Sequence, residues 1–212
     1  MKSHALPTLA IVILAAGLSV RLGQPKALAT VHGRNLLTKT LRVLAPFAAR
    51  KIQVIVPPAA ARYRIGISAR SATFTINRQR AAGLSRSVRI GIHQSRYCSA
   101  VLLLPVDLVD LTGADIARLI ARWRGYRRRV AARRIGTGAG TPLILPHWLY
   151  PQAANISGAA GLRELMRRLP GPALALIHMP SAESDVDTPE DLAAARRRRH
   201  HPRRRAPRAR AP

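Results

Sequence analysis

Acidic residues are scarce in this chain: nine Asp and Glu stand against 36 Lys and Arg, a formal charge of +27 over 212 residues. So few carboxylates leave little choice of metal ligand, and a field this positive attracts polyanions: nucleic acid, phospholipid headgroups or small polyphosphates. Cysteine is nearly absent. Cys98 stands alone, which excludes an internal disulfide framework and suits a reducing compartment such as the cytoplasm. Beside the apolar run 101–104 it reads as a small packed side chain rather than a nucleophile. Aromatic residues make up only 4% of the chain, few for the stacking platforms that single-strand binders use. Trp123 and Tyr126 do interleave with arginines, and at a helix end they read as packing or surface cover. No apolar run reaches the roughly 18 to 20 residues of a membrane-spanning helix. The seven histidines form no i, i+4 pair, and neither a metal-spaced Cys/His cluster nor a Ser-His-Asp arrangement stands out.

What is present is an apolar body with a basic end. Hydrophobic residues make up 48% of the chain, enough for a substantial core in one domain. Nine arginines lie in 196–212, and the rest of the chain keeps a charge of +18. Residues 1–195 therefore read as the folded domain and 196–212 as a solvated, disordered tail able to bind polyanions non-specifically. Met1-Lys2 ahead of the apolar 9–16 superficially resembles a secretory leader, but cleavage there would remove the first strand.

Strand and helix signals alternate along the body. Apolar runs at 9–16, 52–56, 73–76, 100–104, 130–133, 143–145 and 174–177 read as strands. Helical spacing appears at 35–44, 85–93, 112–123 and 162–169, and Thr188-Pro189-Glu190-Asp191 opens a final helix. A glycine loop is expected over 136–140. The alternation predicts an α/β fold: a single Rossmann-like, doubly wound and mainly parallel sheet with ligand at the carboxyl ends of its strands.

Directly after the first strand comes Leu14-Ala15-Ala16-Gly17-Leu18-Ser19-Val20-Arg21-Leu22-Gly23-Gln24-Pro25-Lys26. Gly17 and Gly23 are expected to turn the backbone tightly and let it approach a ligand. Successive N–H groups in such a turn form an anion-binding concavity, and Arg21 and Lys26 add a forked and a point charge for phosphate oxygens. It is not a P-loop, because Gly23 is followed by Gln24-Pro25-Lys26 rather than Lys-Ser/Thr. The pattern resembles the signature of the MobA-like nucleotidyltransferases, nearest to their molybdenum cofactor cytidylyltransferase (MocA-like) branch. That resemblance implies that Leu14, Ala15, Ala16 and Gly17 lie along base and ribose through their backbone, while Arg21 and Lys26 hold the triphosphate. Ala16, where guanylyl-transferring relatives tend to carry glycine, implies CTP.

Three further blocks follow in the family's order. Asn77-x5-Gly83-Leu84-x-x-Ser87-Val88-x-x-Gly91 resembles the segment that reads the nucleobase, making Gly83 and Ser87 nucleotide-binding candidates. The alternative is a plain helix N-terminus capped by Ser85. Asp107 ends the apolar run 101–106 at the rim where the ligand should lie. The family's aspartate here binds Mg²⁺, a hard cation that takes one or two carboxylates plus substrate phosphates. Asp185-Val186-Asp187-Thr188-Pro189-Glu190-Asp191-Leu192 resembles the family's ending. Two aspartates at i and i+2 share a side of an extended segment, and Asp187 is the second metal candidate.

The match loosens elsewhere. Leu108-Val109 follows Asp107 where the family has a proline, Thr141 replaces a common histidine, and Ala159 stands where an aspartate is usual. The implied activity is Mg²⁺-dependent transfer of CMP from CTP to a phosphorylated acceptor such as molybdopterin cofactor, with Arg21, Lys26 and Asp107 catalytic and pyrophosphate released. Two alternatives stay open: a sugar- or polyol-phosphate acceptor, and a weakly active relative whose basic surface binds nucleic acid or a partner.

Overall fold

The computed structural model describes residues 8–47, 52–65, 67, 72–158 and 160–198. Ala159 and the tail beyond residue 198 lie outside the described residues. Strand β1 (Leu9–Leu14) is followed by a hairpin of β2 (Thr30–Val31) and β3 (Arg34–Asn35) and by helix α1 (Leu36–Leu44). Then come β4 (Ile52–Val56), the single turn α2 (Ala61–Arg64), β5 (Ala72–Ile76), α3 (Leu84–Gln94), β6 (Ala100–Pro105) and α4 (Gly113–Gly125). The chain continues through β7 (Val130–Ile135), β8 (Gly138–Pro146), α5 (Tyr150–Ala154), α6 (Gly161–Arg168), β9 (Leu174–Ile177) and α7 (Pro189–Arg197).

Seven strands form one sheet in the order β5-β4-β1-β6-β8-β7-β9. All run parallel except β8, which is antiparallel to both neighbours. Its direction has a local cause. Gly136, at φ 54°, and Thr137 turn the chain straight from β7 into β8, and a link that short cannot make the crossover a parallel neighbour needs. The glycine loop expected over 136–140 is therefore a tight turn, with Gly138–Gly140 already in β8.

The central strands β1 and β6 are apolar throughout because helices cover both faces of the sheet. On one face Ile11 and Ile13 of β1 and Leu102 and Leu104 of β6 meet α1, α4 and α7 through Leu37, Ile116, Trp123 and Leu192. On the other, Val12, Leu14, Val101 and Leu103 meet α3, α5 and α6 through Val88, Ile92, Tyr150, Leu162 and Met166. Each large side chain fully buried here stabilises the fold by roughly 1.5 to 3 kcal/mol. Trp123 thus packs in the core, at 2% exposure, while Tyr126 is exposed. Gly91 serves this packing: a Cβ there would come within 2.7 Å of Val12 Cγ1, so its absence lets α3 lie close on β1. Leu14 stands opposite both Ile55 of β4 and Pro105 of β6. The carboxyl ends of β1 and β6 therefore finish side by side, and the loops beyond them share one rim. Among the described residues no helix is long and apolar enough to cross a membrane.

Candidate active site

At that rim lies a cavity of about 500 Å³, lined by residues 14–21, Lys26, Arg80, Ala81, Gly83, Leu84, Ser87, 105–107 and Asp187. Every residue singled out above for nucleotide or metal faces this one space. Four of them form a continuous chain of charge. Arg21 Nη2 lies 2.7 Å from Asp187 Oδ2, Lys26 Nζ lies 2.7 Å from Asp107 Oδ2, and Lys26 Nζ also pairs with Asp187 Oδ1.

Local structure sets each position. Beyond β1 the chain turns at Ser19, whose φ is 55°, and Gly23, whose φ is 71°. The Gly23 N–H donates to the carbonyls of Ser19 and Val20 at 3.2 and 3.3 Å. The Lys26 N–H donates to Ser19 Oγ at 3.1 Å, closing the loop across its mouth. Buried Ala27 then anchors the turn Lys26–Leu28. Gly17 does not adopt the left-handed conformation expected of a tight turn; that role falls to Ser19 and Gly23. Gly17 leaves room instead, since a Cβ there would meet nothing within 4 Å and would project into open space.

Asp187 reaches the site through pairing that no local pattern announces. The Val186 N–H donates to the Asp107 carbonyl at 3.2 Å, and the Val109 N–H to the Ser184 carbonyl at 3.3 Å. These bonds, with a bridge between Leu108 and Asp185, hold the two aspartate segments antiparallel. Asp191 completes the brace: its Oδ2 accepts the N–H groups of Asp187 at 3.0 Å and Thr188 at 2.8 Å while Thr188 caps α7. Asp185 is exposed and outside the ion-pair chain. Of the remaining acids, Asp110 pairs with Arg198 and Asp115 closes the capping box of α4.

The two carboxylates differ in kind. Burial pushes the Asp107 carboxyl above the ordinary range, and the Lys26 charge and hydrogen bond only partly offset it. Asp187 is held below that range, first by the Lys26 hydrogen bond and then by the Lys26 and Arg21 charges. Burial opposes charge on Lys26, but Asp107 and Asp187 outweigh it and raise its ammonium above the ordinary value. The pair already shares one cation, the Lys26 ammonium, and Asp107 remains under-compensated. A divalent cation flanked by two carboxylates and substrate phosphates fits that donor set. Among the described residues no group of three or more His, Cys, Asp or Glu offers an all-protein cage.

At the other end of the cavity, Gly83 stands at the N-cap of α3 with φ 89°, and no side chain caps that helix. The alternative, a Ser85 cap, does not form: Ser85 is buried, its N–H donating to the Gly158 carbonyl at 3.3 Å. Ser87 is positioned by Asn77, whose side chain is fully buried. Asn77 Oδ1 accepts the Gln79 N–H at 3.0 Å, which fixes the amide, so Nδ2 donates to Ser87 Oγ at 3.0 Å. The Ser87 hydroxyl proton is thereby left to donate. Arg80, absent from the sequence reading, adds a third cation to the cavity wall. Its place between Asn77 and Gly83 in the motif was the available signal.

A second cavity, of about 550 Å³, shares Leu84 with the first. It lies between the β7–β8 hairpin and α6, lined by Ile135, 137–141, Leu143, Leu162, Arg163, Met166 and Arg167. Thr141 therefore lies on this wall.

Comparison with known proteins places the chain by family and fold. The chain is 30% identical over 201 residues to a probable molybdenum cofactor guanylyltransferase of Rhodopirellula baltica, covering 91% of this chain and 93% of that one. It is 35% identical over 99 residues to a phosphoenolpyruvate guanylyltransferase of Mycobacterium leprae, a match spanning 47% of this chain and less than half, 43%, of that enzyme. Among solved structures, Rv0371c of Mycobacterium tuberculosis superposes with a TM-score of 0.75 at 21% identity, over 90% of this chain and 98% of that one. The same protein complexed with manganese gives 0.72, also at 21% identity, over 89% and 97%. The family profile of the MobA-like NTP transferase domain matches residues 11–173, and the chain belongs to that family of nucleotidyltransferases.

Proposed function

We propose that this protein transfers CMP from CTP to a phosphorylated acceptor of the molybdopterin cofactor class, releasing pyrophosphate. The observation that carries this reading is the ion-pair chain Arg21–Asp187–Lys26–Asp107 at the mouth of the first cavity. Arg21 and Lys26 hold the triphosphate, and residues 14–17 lie along base and ribose. The Ser87 hydroxyl, oriented by Asn77, donates to an acceptor atom on the base edge. Ala16, on the lining of the first cavity, stands where guanylyl-transferring relatives of this family tend to carry glycine, and that resemblance supports CTP. The second cavity supports an acceptor with an apolar body and an anionic group, since Leu143, Leu162 and Met166 line it together with Arg163 and Arg167.

In the reaction, an acceptor phosphate oxygen attacks the α-phosphorus, the bond to the α–β bridging oxygen breaks, and the electron pair leaves with pyrophosphate. No covalent bond to the protein forms, so rate comes from alignment and from cations placed where charge develops. Arg21 and Lys26 neutralise the departing phosphates. Asp107 and Asp187 would hold Mg²⁺, which when bound neutralises phosphate charge. Manganese bound to the structurally similar Rv0371c supports a divalent-metal site.

One second reading has an observation behind it. The relative matched over 93% of its own length is named a guanylyltransferase, which favours GTP. Pyrophosphate release with each of the four NTPs, Mg²⁺ and a panel of phosphorylated acceptors decides between them. CTP-dependent release with a molybdopterin acceptor is the expected result; GTP-dependent release replaces the nucleotide, and no release with any pair overturns the function. Ala16→Gly is expected to shift preference toward GTP.

A further inference from the structure

The end of the sheet remote from the cavity, where β6 and β7 begin and β8 ends, carries a second surface that nucleotidyl transfer does not use. Three of this chain's few aromatic rings are exposed there: Tyr97 at 83%, Tyr126 at 43% and Trp148 at 44%. Both tyrosine rings lie against arginines. The Arg96 guanidinium lies 4.4 Å from the centre of the Tyr97 ring, and those of Arg122 and Arg129 lie 4.8 and 4.6 Å from that of Tyr126. Two hydrogen bonds fasten the segments into one platform and a third closes the turn at Tyr126. Trp148 Nε1 donates to the Arg128 carbonyl at 2.9 Å, His147 Nε2 lies 3.1 Å from the Arg96 carbonyl, and the Arg129 N–H donates to the Tyr126 carbonyl at 2.8 Å.

The charge of this surface is of one sign. The chain has no Asp or Glu before Asp107 and none between Asp115 and Glu164, so no segment of the platform contributes a carboxylate. Among the described residues Arg96, Arg122, Arg124, Arg127, Arg128 and Arg129 make no ion pair. The basic surface extends along α3, where Arg86, Arg89 and His93 line a groove of about 370 Å³. Those three recur near helical spacing on a helix about 16 Å long, leading from the platform back toward the first cavity.

We infer that this platform and the α3 groove bind single-stranded nucleic acid, bases against Tyr97 and Trp148 and phosphates along the arginines. A positive groove beside exposed rings is how sequence-tolerant single-strand binders work, because every unpaired base has a face to stack. A duplex keeps its bases stacked inside and could use only the arginines, and an acidic polypeptide would leave the rings without a partner.

Trp148 provides a direct reporter, since Trp123, the other tryptophan, is buried. The full chain is titrated with an oligodeoxythymidylate of about twelve nucleotides, following tryptophan fluorescence and, with labelled oligonucleotide, anisotropy. Quenching that saturates with the anisotropy is expected, with weaker binding and less quenching by a duplex of equal charge. Tyr97→Ala removes an exposed ring that lies against the Arg96 guanidinium and should weaken oligonucleotide binding about tenfold; nucleotide binding by that variant checks that it is folded. Binding without quenching and unaffected by Tyr97→Ala overturns the inference and assigns the contact to charge elsewhere, the arginine tail included. Equal quenching by polyglutamate overturns it in favour of an acidic protein partner.

Discussion

The two cavities that meet at Leu84 are built on opposite plans. In the first, Arg21, Asp187, Lys26 and Asp107 each touch a neighbour of opposite sign, and Ser19, Asn77 and Asp191 brace the groups that line it. The second has apolar walls and no carboxylate lining, and its cations are Arg163 and Arg167, the latter paired with Glu164 at 2.9 Å. The contrast teaches where rigidity is needed. A triphosphate and its metal demand fixed charges at fixed distances, because preorganised dipoles and ions act without reorganising during reaction. An acceptor with an apolar body can be held by shape plus a phosphate contact, which many side chains supply.

Substitutions can break that contrast, and the largest effect is expected at Asp107. Asp107→Asn keeps the shape and removes the charge. Turnover should fall by a factor on the order of 10² to 10³, while metal-free nucleotide binding, measured by calorimetry, survives. Lys26→Ala comes next. Losing a charge-assisted phosphate contact costs about 1.5 to 3 kcal/mol, a tenfold to hundredfold weaker nucleotide titration, and it also leaves Asp107 and Asp187 facing one another. Arg21→Ala should cost less, because Arg21 is 70% exposed against 18% for Lys26.

Arg163→Ala sharpens the other half of the comparison. The acceptor KM should rise about tenfold, the lower end for a phosphate contact, with nucleotide affinity unchanged. An effect on both substrates would mean that the two cavities are one.

The smallest effect on turnover is expected outside both linings, at Asp115. Burial disfavours its charge, but hydrogen bonds from Ser181, Thr112 and Arg118 outweigh that and hold its carboxyl below the ordinary value. Its stabilisation is therefore complete at neutral pH and is lost as pH falls below about 4, through the folded-state value. Asp115→Ala should lower stability by about 1 to 2 kcal/mol, read by denaturant melts, with transfer intact at low temperature.

Much of the nucleotide half was legible in sequence, because the demands there are local. The residues between Leu14 and Lys26 that line the first cavity belong to one contiguous segment, and the apolar run ending at Asp107 is one buried strand. Thr112 and Thr188, at the starts of two of the helices read from sequence, accept the N–H groups of Asp115 and Asp191. What escaped the reading depends on partners distant in the chain or on very short signals. Asp187 meets Lys26 across 161 positions, through strand-like pairing of 107–109 with 184–186 that leaves no periodic trace. The β2–β3 hairpin has two residues per strand, and its mark is the His32-Gly33 turn with φ values of 52° and 73°. Ser85 carried the composition of a cap, yet Gly83 took the position because the chain enters α3 in a conformation that favours glycine. The second cavity left no such mark for a physical reason too, since an apolar wall with arginines encodes a class of shapes and not a motif.

The central claim, that Asp107 and Asp187 form one cation site on the triphosphate, is tested most directly by paramagnetic resonance of Mn²⁺. The titration is run with and without a non-hydrolysable CTP analogue, on the unaltered protein, Asp107→Asn and Asp187→Asn. The account expects a bound signal that strengthens with nucleotide in the unaltered protein, disappears in Asp107→Asn and weakens in Asp187→Asn. Identical Mn²⁺ binding in all three proteins would contradict it.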